Sequence, residues 1–109
     1  MEVLAEKLRA ICSQRRFAIA RDLYDVHEII CRGTDPHRAV AILPAKLRIK
    51  NLDLPKDLRG RIEERRAEFE TNWERNLIPL LAPVNRVPFE DAWTTVKKAV
   101  ALVAKSPPK

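Results

Sequence analysis

The sequence predicts an all-α protein, four to five helices bundled around an N-terminal helical hairpin. Apolar residues recur at helical spacing in one stretch after another, and no run alternates as a half-buried strand does. Lys, Arg, Leu, Ala and Glu dominate, a composition that favours helix. Glycine occurs only at Gly33 and Gly60, so few positions invite a break. Residues 1–109 are read as one domain with a single modest core.

The first helix is expected over about 2–15. Leu4, Leu8 and Ile11 fall at i, i+4, i+7 and make one apolar stripe. Basic residues in its last turn suit the helix dipole. Residues 17–20 form a short connection. The second helix covers about 21–32, with Leu23, Val26 and Ile30 as its stripe and Gly33 as the residue that ends it. Thr34 or Asp35 can cap a third helix with Pro36 at its first position. Ala39, Val40, Leu43 and Leu47 face inward there, and Pro44 should end or kink the helix near Leu43.

Residues 49–54 read as a linker. Asp53 is the expected cap of one long helix over 56–81, with Leu58, Ile62, Phe69, Trp73 and Leu77 inward. Its charged first half, from Arg59 to Glu68, is a solvated face of paired Glu and Arg. Pro79 should end or bend it. After a loop over 83–87, a last helix over about 88–105 turns Phe89, Trp93, Val96, Val100 and Val103 to one side. Lys97 and Lys98 then lie on its wet back. Trp73 and Trp93 are expected in the core, against each other, and residues 106–109 as a tail.

The charges in the first two helices call for a partner. Lys7 sits on or beside the first stripe, and Asp22 and Asp25 share one side of the second helix. Such charges at buried faces are costly unless they meet. The two helices are therefore expected to pack as a hairpin with Lys7 facing Asp22 or Asp25. Spacing leaves two readings open. One is a salt bridge that locks the hairpin. The other is a phosphoryl-transfer cluster, in which a lysine neutralises phosphate and a carboxylate orients a nucleophile or holds metal. Arg15, Arg16 and Arg21 around the first turn fit either a solvated loop or a surface for RNA or a triphosphate. Tyr24 is expected to pack on the hairpin with its hydroxyl at the surface.

Two blocks carry a resemblance: Ala5-Glu6-Lys7-Leu8-Arg9-Ala10 and Ala20-Arg21-Asp22-Leu23-Tyr24-Asp25, joined by a spacer containing Gln14-Arg15-Arg16. In order and spacing the pair resembles the third and fourth motifs of the AbiEii/AbiGii-type nucleotidyltransferase toxins. These are the toxin half of type IV toxin–antitoxin, abortive-infection systems. The match covers Val3 to about Ile29, and the rest of the chain looks like the helical C-terminal part of that family. The resemblance implies that Lys7 and Asp22 are the catalytic polar pair. Arg21, Asp25, Arg15 and Arg16 would then serve the nucleotide or the acceptor, which could be RNA. For a complete enzyme it implies magnesium and a nucleoside triphosphate.

The family's Gly-Ser turn and Asp-x-Asp strand stand upstream of the third motif. Neither glycine here is followed by Ser, and no Asp-x-Asp occurs. The expectation is a fragment, a split subunit or a chain whose catalytic half is lost, not active alone. Its expected partners are the missing N-terminal nucleotidyltransferase half or the cognate antitoxin. The alternative is a non-catalytic helical module that binds a partner protein or RNA.

The remaining features bound these readings. The net charge of +6 permits a nucleic-acid or nucleotide partner without demanding one. Cys12 and Cys31 fall in apolar stretches and are expected as buried free thiols of a reducing compartment. The charged N-terminus lacks the apolar region of a secretory signal, and no apolar run reaches membrane-spanning length. A cytoplasmic protein is expected, with possible self-association through an exposed apolar face. The gap from Cys12 to His27 fits no standard zinc knuckle, and His37 lies beyond Gly33, so His27 is read as a half-buried histidine.

Overall fold

The computed structural model describes residues 2–12, 19–51, 54 and 56–105, and every regular element among them is helical. The described residues form six α-helices where four or five were expected. They are α1 (Glu2–Cys12), α2 (Ala20–Cys31), α3 (Pro36–Ile49), α4 (Leu58–Glu64), α5 (Arg66–Asn72) and α6 (Phe89–Lys105). α1 packs against α2 and α3, and α6 lies against α2, α3 and α4.

The extra count comes from the stretch expected as one helix over 56–81. It breaks at Arg65, where φ is −97° and ψ is 5°. Nothing in the sequence marks Arg65 as the break. Beyond α5 the chain passes through a π turn, Trp73–Leu77, and a 3-10 turn, Ile78–Leu80. Pro79 accounts for these turns. It has no N–H for the Arg75 carbonyl, and in an α-helix its ring would strike that carbonyl. The ladder widens ahead of it, and Ile78 N–H donates to Trp73 O. The inward positions are kept through the breaks: Leu58, Ile62, Phe69, Trp73 and Leu77 are all buried.

The caps explain most other boundaries. Gly33, at φ +104°, ends α2. Its N–H donates to Ile30 O and that of Thr34 to Ile29 O, the Schellman pattern that a left-handed glycine permits. Asp35 caps α3 by accepting from His37 N–H at 2.9 Å. α4 is capped by Asp57, which accepts from Gly60 N–H at 3.2 Å. Asp53, the expected cap, lies outside the described residues. Gly60 makes room for the cap, since a Cβ there would collide with the Asp57 carboxylate.

Pro44 does not stop α3, which runs through it to Ile49. The proline forfeits one backbone hydrogen bond. The turn beyond it compensates by burying Leu47 beside Leu43 and by setting Lys46 Nζ 3.2 Å from Glu6 Oε1 of α1.

The centre of the core is a chain of rings. Tyr24, Trp73, Phe89 and Trp93 follow one another at centroid separations of 6.2, 5.7 and 5.6 Å, and Phe69 lies 6.0 Å from Trp93. The two tryptophans are thus both buried, with Phe89 between them. All five inward positions expected for the last helix are buried in α6.

The cysteines part company. Cys12 is buried as expected, whereas Cys31 is exposed. It stands one residue past Ile30, about 100° round the helix from that partly buried position. Burial pushes the Cys12 thiol up to about 12. Native protein is expected to give one fast thiol with Ellman's reagent and a second only in denaturant. Cys31→Ser should abolish the fast phase, and a fast phase that survives it would contradict this assignment.

Candidate functional site

The hairpin of α1 and α2 brings the sequence-identified charges together. α1 buries Leu4, Leu8 and Ile11, which leaves Lys7 at the border of its packed face. α2 buries Leu23 and Val26, and Asp22 is carried inward with them to 4% exposure. Ile19 has no side chain that can cap α2. Asn72 of α5 supplies the cap instead, its Oδ1 accepting from Ala20 N–H at 2.8 Å. This long-range cap fixes the turn that holds Asp22, and no local sequence signal announces it.

Lys7 Nζ lies 2.9 Å from Asp25 Oδ2 and 3.4 Å from Asp22 Oδ1. It therefore faces both aspartates. Arg21 Nε donates to the other oxygen of Asp25 at 3.2 Å, and its guanidinium stands 6.0 Å from the Tyr24 ring centroid. The four charges form one array in the order Arg21, Asp25, Lys7, Asp22. It is graded in depth: the Asp22 side chain is 6% exposed, Asp25 23%, Lys7 30% and Arg21 60%. Arg15 and Arg16 lie outside the described residues.

Two further contacts brace the hairpin. Tyr24 is buried, and its hydroxyl donates to Asn85 O at 3.2 Å, with Glu28 Oε1 at 3.5 Å. The hydroxyl expected at the surface instead ties α2 to the 3-10 turn Pro83–Asn85. On the α1 side, Glu6 accepts from Arg9 Nε at 3.0 Å and from Lys46 of α3 at 3.2 Å. The bond from Arg9, then that from Lys46, holds the Glu6 carboxyl below its ordinary value.

The hydrogen bond to Asp25 raises the Lys7 ammonium above its ordinary 10.5, outweighing the desolvation that opposes it. For a raised cation the stabilisation is complete below the unfolded value and is lost as pH climbs through the folded one. The melting difference between wild type and Lys7→Ala is therefore expected to hold steady from neutral pH to about pH 10 and to shrink above 10.5. A difference that already closes near neutral pH would assign the effect to another group.

His27 is half-buried. The Thr95 hydroxyl donates to Asp91 O at 3.1 Å, which leaves its oxygen to accept from His27 Nδ1–H at 2.8 Å. That bond ties α2 to α6. His37 pairs with its own cap Asp35 at 3.1 Å. Among the described residues no group of three His, Cys, Asp or Glu side chains is placed to hold a metal ion. No described helix is long and apolar enough to cross a membrane.

The geometry of the array sets its chemistry. A single half-open ammonium is shared by two carboxylates, one of them nearly buried. Such a set holds a cation at a fixed point while leaving one face of it to solvent. The array is formally neutral, two cations against two carboxylates, and Arg21 is its most exposed charge.

A family model described as nucleotidyl transferase AbiEii toxin, type IV TA system, matches residues 1–98. No curated protein and no solved structure gives a significant match.

Proposed function

Because the chain belongs to the nucleotidyl transferase AbiEii toxin family, we propose that the Lys7 array is the part of a nucleotide-transfer site that this helical region contributes. The observation that carries the reading is the shared, half-open Lys7 between Asp22 and Asp25. In this reading Lys7 neutralises the phosphates of a nucleoside triphosphate. Asp22 positions groups in the site, Asp25 and Arg21 hold the lysine and extend the charge, and Arg15 and Arg16 meet the nucleotide or an RNA acceptor.

Magnesium would supply charge neutralisation at the phosphates of a complete enzyme. The described residues do not fit that ion by themselves. They offer no three-ligand group, and Asp22 and Asp25 are engaged by Lys7. The metal-binding carboxylates would come from outside these 109 residues, which contain no Asp-x-Asp. The natural partners are then that nucleotidyltransferase half and, as for other toxins of such systems, an antitoxin. A cytoplasmic setting fits the free thiols Cys12 and Cys31.

The purified chain is expected to transfer no label from a radiolabelled nucleoside triphosphate to RNA. Transfer by the 109-residue chain that disappears in Asp22→Ala would overturn the division of labour. A second reading, a non-catalytic module that binds a partner protein, is favoured by Leu80 and Val84. They are 79% and 90% exposed in the neighbouring 3-10 turns.

A further inference from the structure

We propose that Asn72 and the Tyr24 hydroxyl are positioning residues of the Lys7 array. They form a polar clamp that holds the start of α2 in the register at which Asp22 and Asp25 share one ammonium. The stretch from the end of α5 to the Pro83–Asn85 turn grips α2 at two points one helical turn apart. Asn72 Oδ1 accepts from Ala20 N–H at 2.8 Å, and Asn85 O accepts from the Tyr24 hydroxyl at 3.2 Å. Ala20 and Tyr24 stand at i, i+4 and share one face of α2. Asp22 lies about 200° round the helix from Ala20, on the side that meets Lys7 of α1. Clamp and array thus hold the same turns of α2 from opposite sides.

The start of α2 depends on the clamp. Ile19 has no capping side chain, and Asp22 N–H donates to Ile19 O at 3.1 Å. Without the Asn72 oxygen the first turn is open to fraying. Asp22 stands in that turn and Asp25 in the next. Fraying therefore takes Asp22 from the ammonium and leaves Asp25 on it at 2.9 Å. Both grips are themselves fixed by other packing. Asn72 closes α5, and its neighbour Trp73 is fully buried at the head of the π turn. Beyond Asn85, Arg86 Nε donates to Leu81 O at 3.3 Å and closes the turn region on itself. A Ser, Thr or Asp at position 19 would cap α2 locally. The grip across fifty-two residues instead ties the place of Asp22 to the aromatic core.

Only the nucleotide arm of the test rests on the proposed function. The aspartate carboxyl carbons are followed by ¹³C NMR in wild type, Asn72→Ala, Asn72→Asp, Tyr24→Phe and Asp57→Ala. Each protein is then titrated with a nucleoside triphosphate and magnesium. Asn72→Ala should move the Asp22 resonance toward that of a solvated carboxylate, leave Asp25 paired, and weaken nucleotide binding by about tenfold or more. Asn72→Asp, whose carboxylate accepts the same N–H, should restore both. Tyr24→Phe keeps its ring beside Trp73, loses the hydroxyl bond, and should displace the Asp22 resonance by less. Asp57→Ala removes a cap of the same kind from α4. It should leave the Asp22 resonance and the nucleotide affinity at wild-type values whatever stability it costs. An Asp22 resonance unmoved in Asn72→Ala and Tyr24→Phe, no restoration in Asn72→Asp, or an equal displacement in Asp57→Ala would each overturn the proposal. A resonance displaced and restored as expected, with no nucleotide binding in wild type, would uphold the clamp and overturn the nucleotide reading.

Discussion

Trp73→Ala is expected to lower stability by about 3–5 kcal/mol, the cost of removing a large side chain from a packed interior. Trp73 is fully buried and sits where the π turn meets the ring chain, touching Tyr24 on α2 and Phe89 on α6. Its loss opens a cavity between the hairpin and the C-terminal helix, and neither neighbour can close it without giving up its own contacts. Against a total stability of about 5–15 kcal/mol for a domain, the variant should be close to unfolding at 37 °C. Trp73→Phe keeps a ring in place and should cost much less. Denaturant midpoints measure both. A loss below about 1 kcal/mol for Trp73→Ala would mean that the π turn is not a packing centre.

Lys7→Ala is expected to cost about 2 kcal/mol. Breaking a fully buried pair costs about 3–5 kcal/mol and an exposed one under about 1, and Lys7, at 30% exposure, lies between. The penalty arises from Asp22 and Asp25, which face each other's charge once the ammonium is gone. For a chain this size the midpoint of thermal unfolding should fall by about 10 °C. Removing both charges of the deeper pair has a different expectation. In Lys7→Met with Asp22→Leu, Asp25 keeps Arg21, the Lys7–Asp22 pair is removed whole, and stability should return to within about 1 kcal/mol of wild type. A pair that an apolar substitute replaces at no cost is not needed for folding, which is where functional charge is found. If the double variant remains as unstable as Lys7→Ala, the ion pair is a structural lock.

Much of this was legible in the residues, and the exceptions have physical causes. Helical spacing located the buried face of every helix, because burial follows period and period survives small breaks. The meeting of Lys7 with the aspartates followed from the cost of burying charge. Boundaries governed by neighbours were not legible. Asn72 caps α2 from fifty-two residues away, Asp57 caps α4 through a clearance that only Gly60 allows, and α3 crosses Pro44 because Leu47 and Lys46 find partners beyond it. Tyr24 reads as an amphipathic surface ring until the Pro83–Asn85 turn supplies an acceptor.

The most direct test of the central claim is the thermal midpoint of wild type and of Lys7→Met/Asp22→Leu, each with and without a nucleoside triphosphate and magnesium. A ligand at a hundred times its dissociation constant that binds only folded protein adds about 2.7 kcal/mol, a rise of about 10 °C or more here. The account predicts that wild type gains this rise and that the double variant, equally stable without ligand, gains none. No rise in wild type, or the same rise in both proteins, would contradict a nucleotide site at Lys7.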